Sequence, residues 1–213
     1  MASTVDRIIE CGVVAVLRAD NPSQLMDVSK ALRDGGVVAI EVTMTVPGAL
    51  KVIEEASAKM PDVIVGVGSV LDPETARAAI LAGAEYVVSP ILNVSVIEMT
   101  KRYGKAVMPA GFTPTEILNA WQAGADVVKV FPAGVGGPSY FKDVLGPLPQ
   151  VKMMPTGGVD AKTTPEFIKN GAVAVGAGSA LVDKKAVADK DWAKLTATAR
   201  AFVDAVAQAR AGK

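Results

Sequence analysis

The feature that most restricts how this chain can fold is a series of short runs of Val, Ile and Ala that are apolar nearly throughout, with no polar alternation. A strand wetted on one face alternates, so unbroken apolar runs point to parallel strands covered on both faces. They lie at 12–18 (GVVAVLR), 37–43 (VVAIEVT), 62–68 (DVIVGVG), 85–89 (EYVVS), 106–110 (AVMPA), 126–131 (DVVKVF), 151–155 (VKMMP) and 172–177 (AVAVGA). Their starts are about 20–25 residues apart, room for a strand, a short helix and two loops. Helical patterns fall between them, for example at 23–34 (SQLMDVSKALRD) and 114–123 (PTEILNAWQA). Gly35, Gly83, Gly124 and Gly171 each end a helical pattern and open a strand, at spacings of 48, 41 and 47 residues, or two units each time. A glycine there is expected to supply a left-handed helix cap.

Eight such units in 213 residues predict a single (β/α)8 barrel domain over 1–213. An open doubly wound sheet is the alternative, but the spacing is near-even and the GxGxxG dinucleotide fingerprint is missing. Residues 3–10 read as a short helix over the barrel floor. The segment from about 189 to 211 reads as a C-terminal amphipathic helix, with Trp192, Leu195, Ala199, Phe202 and Val206 on one stripe.

Composition removes whole classes of chemistry. The chain has 22 basic and 22 acidic residues, no net charge and no basic run, which argues against a nucleic-acid partner. It has no histidine, so Ser-His-Asp and Cys-His catalysis, imidazole bases and nearly all zinc sites are excluded, and no metal is expected. Cys11 is the only cysteine, which fits a reducing compartment. MASTVDRIIE lacks the basic and apolar regions of a secretory signal, and no apolar run approaches a bilayer span, so a cytoplasmic protein without a membrane partner is expected.

Charges inside apolar strands carry the most information. Lys129 sits in VVKVFP and Glu41 in VVAIEVT, each late in its strand. Side chains there face the barrel mouth, where barrel enzymes place their chemistry. Burying either charge alone costs several kcal/mol, so the two should lie near one another or near a charged ligand. A buried salt bridge is one reading. The other is a desolvated lysine whose free amine attacks a carbonyl, with Glu41 moving the protons of Schiff-base chemistry. Asp126 and Glu85, at the opposite strand ends, read as stabilising floor residues.

Two loops complete the pattern. Pro155-Thr156-Gly157-Gly158 follows the seventh strand and Gly176-Ala177-Gly178-Ser179 the eighth, where many barrels hold a phosphate on backbone N–H groups. Arg18 ends the first strand and offers a fork to a carboxylate or phosphate. Ser69, at the end of the third strand, is a candidate donor to a substrate carboxylate.

Taken in order, IEVT with Glu41, Ser89-Pro90, MPAGFTPTEI at 108–117, KVFPA with Lys129, PTGGV at 155–159 and GAGSAL at 176–181 resemble the 2-keto-3-deoxy-6-phosphogluconate (KDPG) aldolases, which include 4-hydroxy-2-oxoglutarate (KHG) aldolase activity. The likeness covers essentially residues 5–205. It implies a class I aldolase without cofactor or metal, a homotrimer of (β/α)8 barrels, acting on a small phosphorylated 2-keto acid in the Entner–Doudoroff pathway. By position, Lys129 matches the Schiff-base lysine and Glu41 the proton-shuttling carboxylate. Ser69 stands where a threonine usually touches the pyruvyl carboxylate. Pro90 and Phe131 match residues lining the site, and Thr156, Gly157, Gly158, Gly178 and Ser179 match the phosphate pocket.

The chain also departs from that pattern. Many members read EVTLRT, with an arginine gripping the carboxylate, whereas here EVTMTV places Thr45 at that point, and Thr43 and Thr45 are both taken as substrate contacts. A branch with TVP in this place is similar to this chain, and Arg18 is then the cation available to the carboxylate. Ala110-Gly111 stands where Gly and an apolar residue are usual. The resemblance implies cleavage of KDPG to pyruvate and glyceraldehyde 3-phosphate. The alternatives are the galactonate epimer, KHG, or a non-enzymatic trimeric scaffold built on an aldolase barrel.

Overall fold

The computed structural model describes residues 2–18 and 24–212. Ser23, where one helical pattern begins, lies outside them. Each expected strand run holds a strand: β1 (Val13–Leu17), β2 (Ala39–Thr43), β3 (Ile64–Gly68), β4 (Tyr86–Val88), β5 (Ala106–Met108) with β6 (Ala110–Gly111), β7 (Val128–Val130), β8 (Met153–Pro155) and β9 (Val175–Ala177). The helices between them are α2 (Leu25–Asp34), α3 (Ala49–Lys59), α4 (Pro73–Leu81), α5 (Val94–Arg102), α6 (Pro114–Gln122), α7 (Ala133–Leu145), α8 (Thr164–Lys169) and α9 (Lys184–Ala188). The expected terminal helices are α1 (Thr4–Cys11) and α10 (Trp192–Ala211). Local sequence sets the starts: Ser3 with Asp6 and Thr113 with Glu116 form capping boxes, and Pro114 fills the first position of α6, where its missing N–H has no partner to lose.

All strand pairing is parallel, in a six-stranded sheet ordered β5-β4-β3-β2-β1-β9 and a three-stranded sheet ordered β6-β7-β8. The fifth expected run is divided at Pro109. Proline has no N–H to give to a ladder, but its carbonyl accepts from Lys129 N–H at 2.9 Å, so the run passes from one sheet to the other. Hydrogen bonds cross both seams: Asp126 N–H to the Val107 carbonyl (3.0 Å) and Val173 N–H to the Met153 carbonyl (3.0 Å). A parallel bridge also joins Thr156 to Gly176.

The two sheet faces carry two cores. The outer one packs sheets against helices and includes Leu17, Leu32, Ile53, Phe141, Phe167, Leu195 and Phe202. The inner one contains Val14, Ala39, Ile64, Tyr86, Val88, Met108, Val127, Met154 and Ala174, closed below by Ile8 of α1. On α10, Leu195, Ala199, Phe202 and Val206 are buried and Trp192 packs at their edge. From its last turn, the Arg210 guanidinium donates to the carbonyls of Ile9, Glu10 and Val173, tying α10 to the floor helix and to the β8–β9 loop. Asp126 and Glu85 act as expected: the Asp126 carboxylate accepts from Val107 N–H and pairs with Lys101 at 2.6 Å, and Glu85 accepts from Thr4. Among the described residues no helix is long and apolar enough to cross a membrane.

The glycine repeat needs one correction. Gly83, Gly124 and Gly171 have the expected positive φ, but in the first unit it is Gly36 that does (95°), while Gly35 is right-handed at −83°. Gly35 is needed for space: a Cβ there would lie 2.5 Å from Ala199 Cβ and 2.6 Å from the Thr196 carbonyl of α10. Overpacking of this kind typically costs about 1–3 kcal/mol. Gly35→Ala should therefore lower unfolding stability by about that much in urea titrations; an unchanged midpoint would mean that α10 does not seat on this corner.

Candidate active site

The strand period of two decides which side chains meet. From inner-core residues Ala39, Val127 and Met154, a step of two leads to Glu41, Lys129 and Thr156 at the C-terminal ends of their strands. All three are buried, Glu41 at 1% and Lys129 at 3% exposure. Lys129 lies between fully buried Val128 and Val130, with its Nζ 5.2 Å from the centre of the Phe131 ring. Glu41 rests against Gly68, where any Cβ would overlap its Oε1, and its Oε2 has no hydrogen-bond partner. Among the described residues the closest ion pairs do not include Glu41 with Lys129, so the buried salt bridge is not the arrangement found. The two charges still act on each other through the apolar interior. Burial raises the Glu41 carboxyl above its ordinary 4.5, while Lys129 and then Arg18 pull it back down.

A cavity of about 290 Å³ opens beside this pair and gathers Arg18, Phe131, Thr156, Gly157, Gly158, Gly178 and Ser179, all read from the sequence as site residues. Its floor is backbone. Gly157 and Gly158 have φ of 82° and 78°, a region that favours glycine, and a Cβ on Gly158 would approach Gly134 Cα to 2.9 Å. That loop is fastened to the start of α7 by Ala133 N–H to Thr156 and Gly134 N–H to Gly157, both 2.9 Å. On the opposite wall, Leu181 and Val182 N–H close a helical turn on the Gly178 carbonyl (2.9 and 2.8 Å). The Ser179 and Ala180 N–H groups are left as the turn's orphan donors. A larger groove of about 530 Å³ lies at the other end of the sheets, near Thr4, Lys105 and Trp121. The smaller cavity is lined by Phe131, whose ring lies beside Lys129, and by Val16, the register partner of Glu41, and nothing in the larger groove stands so close to either charge, so the smaller cavity is the candidate site.

The remaining expected residues stand around the cavity without lining it. Ser69 directly follows β3, half-buried and at φ 58°, a strained setting for a residue with a side chain and one that concentrates at functional sites. Pro90 follows β4 and is half-buried. Thr43 is fully buried; its hydroxyl lies 3.2 Å from the Leu17 carbonyl and 2.7 Å from the Thr45 hydroxyl, so this pair braces the ends of β1 and β2. Thr45 itself is exposed. Among the described residues no group of three or more Asp, Glu or Cys is placed to hold a metal. Sequence reading passed over Tyr86, whose phenol is fully buried on the inner face with no partner. Inside an apolar run the only signal was its hydroxyl.

A family model described as KDPG and KHG aldolase matches residues 5–198. The chain belongs to the KDPG and KHG aldolase family. It is 30% identical over 202 residues to the 2-dehydro-3-deoxy-phosphogluconate aldolase of Pseudomonas aeruginosa, covering 94% of this chain and 92% of that one. Against the KHG/KDPG aldolase of Escherichia coli the identity is 29% over 204 residues, covering 95% and 96%. A KDPG aldolase structure from Legionella pneumophila, with pyruvate captured at low pH as a covalent carbinolamine intermediate, superposes with a TM-score of 0.85 at 27% identity, covering 91% of this chain and 96% of that one. Family membership makes the protein an aldolase.

The Glu41 environment has a consequence for stability. A carboxyl raised above 4.5 in the folded state binds its proton more tightly folded than unfolded. Its contribution to stability is therefore complete below pH 4.5 and lost as pH rises through the raised value. Glu41→Gln does not titrate, so its stability relative to the parent should climb as pH rises above 4.5 in urea unfolding. A gap that stays flat with pH would mean that Glu41 ionises as it would in water.

Proposed function

We propose that the protein is a class I, Schiff-base aldolase that cleaves KDPG to pyruvate and glyceraldehyde 3-phosphate, with Lys129 as nucleophile and Glu41 as proton carrier. The observation that carries this reading is the position of Lys129, a buried amine on the inner face, 5.2 Å from the centre of the Phe131 ring that lines the cavity with the glycine loops. The Lys129 amine adds to the C2 ketone to give a carbinolamine. Glu41 delivers a proton to the departing hydroxyl, and water leaves to form an iminium. The electrons of the C3–C4 bond flow into the iminium as the C4 hydroxyl proton passes to Glu41. Glyceraldehyde 3-phosphate departs. Glu41 then returns a proton to C3 of the enamine, and water hydrolyses the iminium to pyruvate and free lysine.

The cavity and the residues around it support a set of substrate contacts. Phosphate rests on the backbone of Gly157, Gly158 and Gly178, with hydroxyls from Thr156 and Ser179. Ser69 and Arg18 hold the carboxylate, since Thr45 carries no charge and Arg18 is close enough to stabilise the Glu41 anion. Pro90 and Phe131 exclude water around the lysine. The eight βα units form one domain that closes as a (β/α)8 barrel, supported by the hydrogen bonds across both seams. A homotrimer is supported by exposed Leu71 and Ile91 on neighbouring loops and Val94 at the start of α5, with the Asn93 amide tying the two segments by donating to the Leu71 carbonyl at 2.9 Å.

Borohydride reduction in the presence of pyruvate should leave one adduct on the chain, mapped by mass spectrometry to Lys129; an adduct elsewhere, or an equal one in Lys129→Ala, would remove the assignment. The phosphate pocket is best probed at Ser179, which is exposed and lines the cavity, because any side chain at Gly158 would press on Gly134 whatever its charge. Ser179→Asp should raise KM for KDPG about 10- to 100-fold, the loss of one charge-assisted hydrogen bond at ~1.5–3 kcal/mol. Unphosphorylated KHG should be affected far less. Equal losses on both substrates would mean that these loops shape the site without holding phosphate.

A further inference from the structure

Tyr86 and Glu41 share a feature that the mechanism above does not use: the phenol oxygen and Glu41 Oε2 are both buried without a hydrogen-bond partner. An unpaired buried polar group is costly, and native structures satisfy nearly all of them with protein or water. The register makes the two neighbours. Glu41 pairs with Gly66 across β2 and β3, and Gly66 pairs with Tyr86 across β3 and β4. Glycine at 66 and 68 is what admits both side chains. A Cβ on Gly66 would overlap the Tyr86 ring at Cζ, the carbon bearing the hydroxyl, and a Cβ on Gly68 would overlap Glu41 Oε1.

The phenol thus sits over one inward position of β3 and the carboxylate over the next. Consecutive inward positions are about 6.6 Å apart, and two hydrogen bonds through one water span about 5.5 Å. We propose, building on the aldolase reading, that the Tyr86 hydroxyl donates through a single bridging water to Glu41 Oε2, making Tyr86 a positioning residue that holds the carboxylate ionised and turned toward Lys129. The groups facing Glu41 are then Lys129 from β7, Arg18 from the end of β1 and Tyr86 from β4, while β3 presents only its two glycines. The phenol keeps its proton and so is available as a donor. Burial raises it well above its usual 10.0, and Glu41 is the strongest of the charges acting on it, ahead of Cys11 and Glu85. A donated hydrogen bond favours the charged carboxylate and so opposes the upward push of burial.

The test is Tyr86→Phe, which keeps the ring among its apolar neighbours. Deuterium exchange at C3 of pyruvate, followed by NMR across pH, reads proton transfer by Glu41 directly. The acidic limb of the variant's rate profile should move up by about 0.5–1 pH unit, giving roughly 3- to 10-fold slower exchange below it. KM for pyruvate should stay unchanged. Site-specific 3-fluorotyrosine at position 86, a stronger donor of nearly the same shape, should move the limb the other way and serves if the Phe variant does not fold. Profiles that superimpose on a parent that exchanges overturn the Tyr86 role alone. A parent that exchanges nothing overturns the aldolase reading and this proposal with it.

Discussion

The structure turns on how two opposite charges are kept in an apolar interior without neutralising each other. Removing a carboxylate or an ammonium from water costs several kcal/mol each, even in a relaxed protein interior. Closing Glu41 and Lys129 into a direct pair would recover part of that cost and leave neither free to react. They are instead held on strands β2 and β7, which belong to different sheets, with Gly68 and Phe131 as their immediate packing partners. Lys129 favours the Glu41 anion at a distance, without closing on it.

Everything around the pair is arranged by the same two-residue period. Arg18, Thr43, Pro90 and Phe131 each lie four residues beyond the inner-core residues Val14, Ala39, Tyr86 and Val127, on the same face. The lower residues of each strand fill the interior with apolar volume, and of the upper ones Arg18 and Phe131 line the cavity. This is why the sequence could be read so far. A lysine between valines, or a glutamate late in an apolar strand, is improbable without a task, and Gly-Gly after the seventh run has few other uses in that place.

What escaped the reading was whatever depends on a distant partner. The break at Pro109 looked like the tail of one strand, because the hand-over to a second sheet depends on where Lys129 N–H finds its acceptor. Gly35 was assigned a left-handed cap because its reason for being glycine, the approach of α10, comes more than 160 residues later in the chain. Thr43 was grouped with substrate contacts, yet its hydroxyl is engaged by Leu17 and Thr45. Tyr86 went unnoticed because aromatic residues are ordinary in strands, and only Gly66 opposite it shows that its ring has been given room.

The ties made by α10 bear on how the chain is synthesised. Arg210 meets Ile9 across a separation of 201 residues, and β1 receives β9 as its neighbour only after nearly the whole chain exists. Until then the first-made strand presents an open edge, and the inner face above α1 has no counterpart from β7 to β9. Contacts this remote in sequence slow folding, and unpaired edges invite association with other chains. A nascent chain ending before β9 thus exposes that edge, and the contacts of α10 with α1 form only after α10 has emerged.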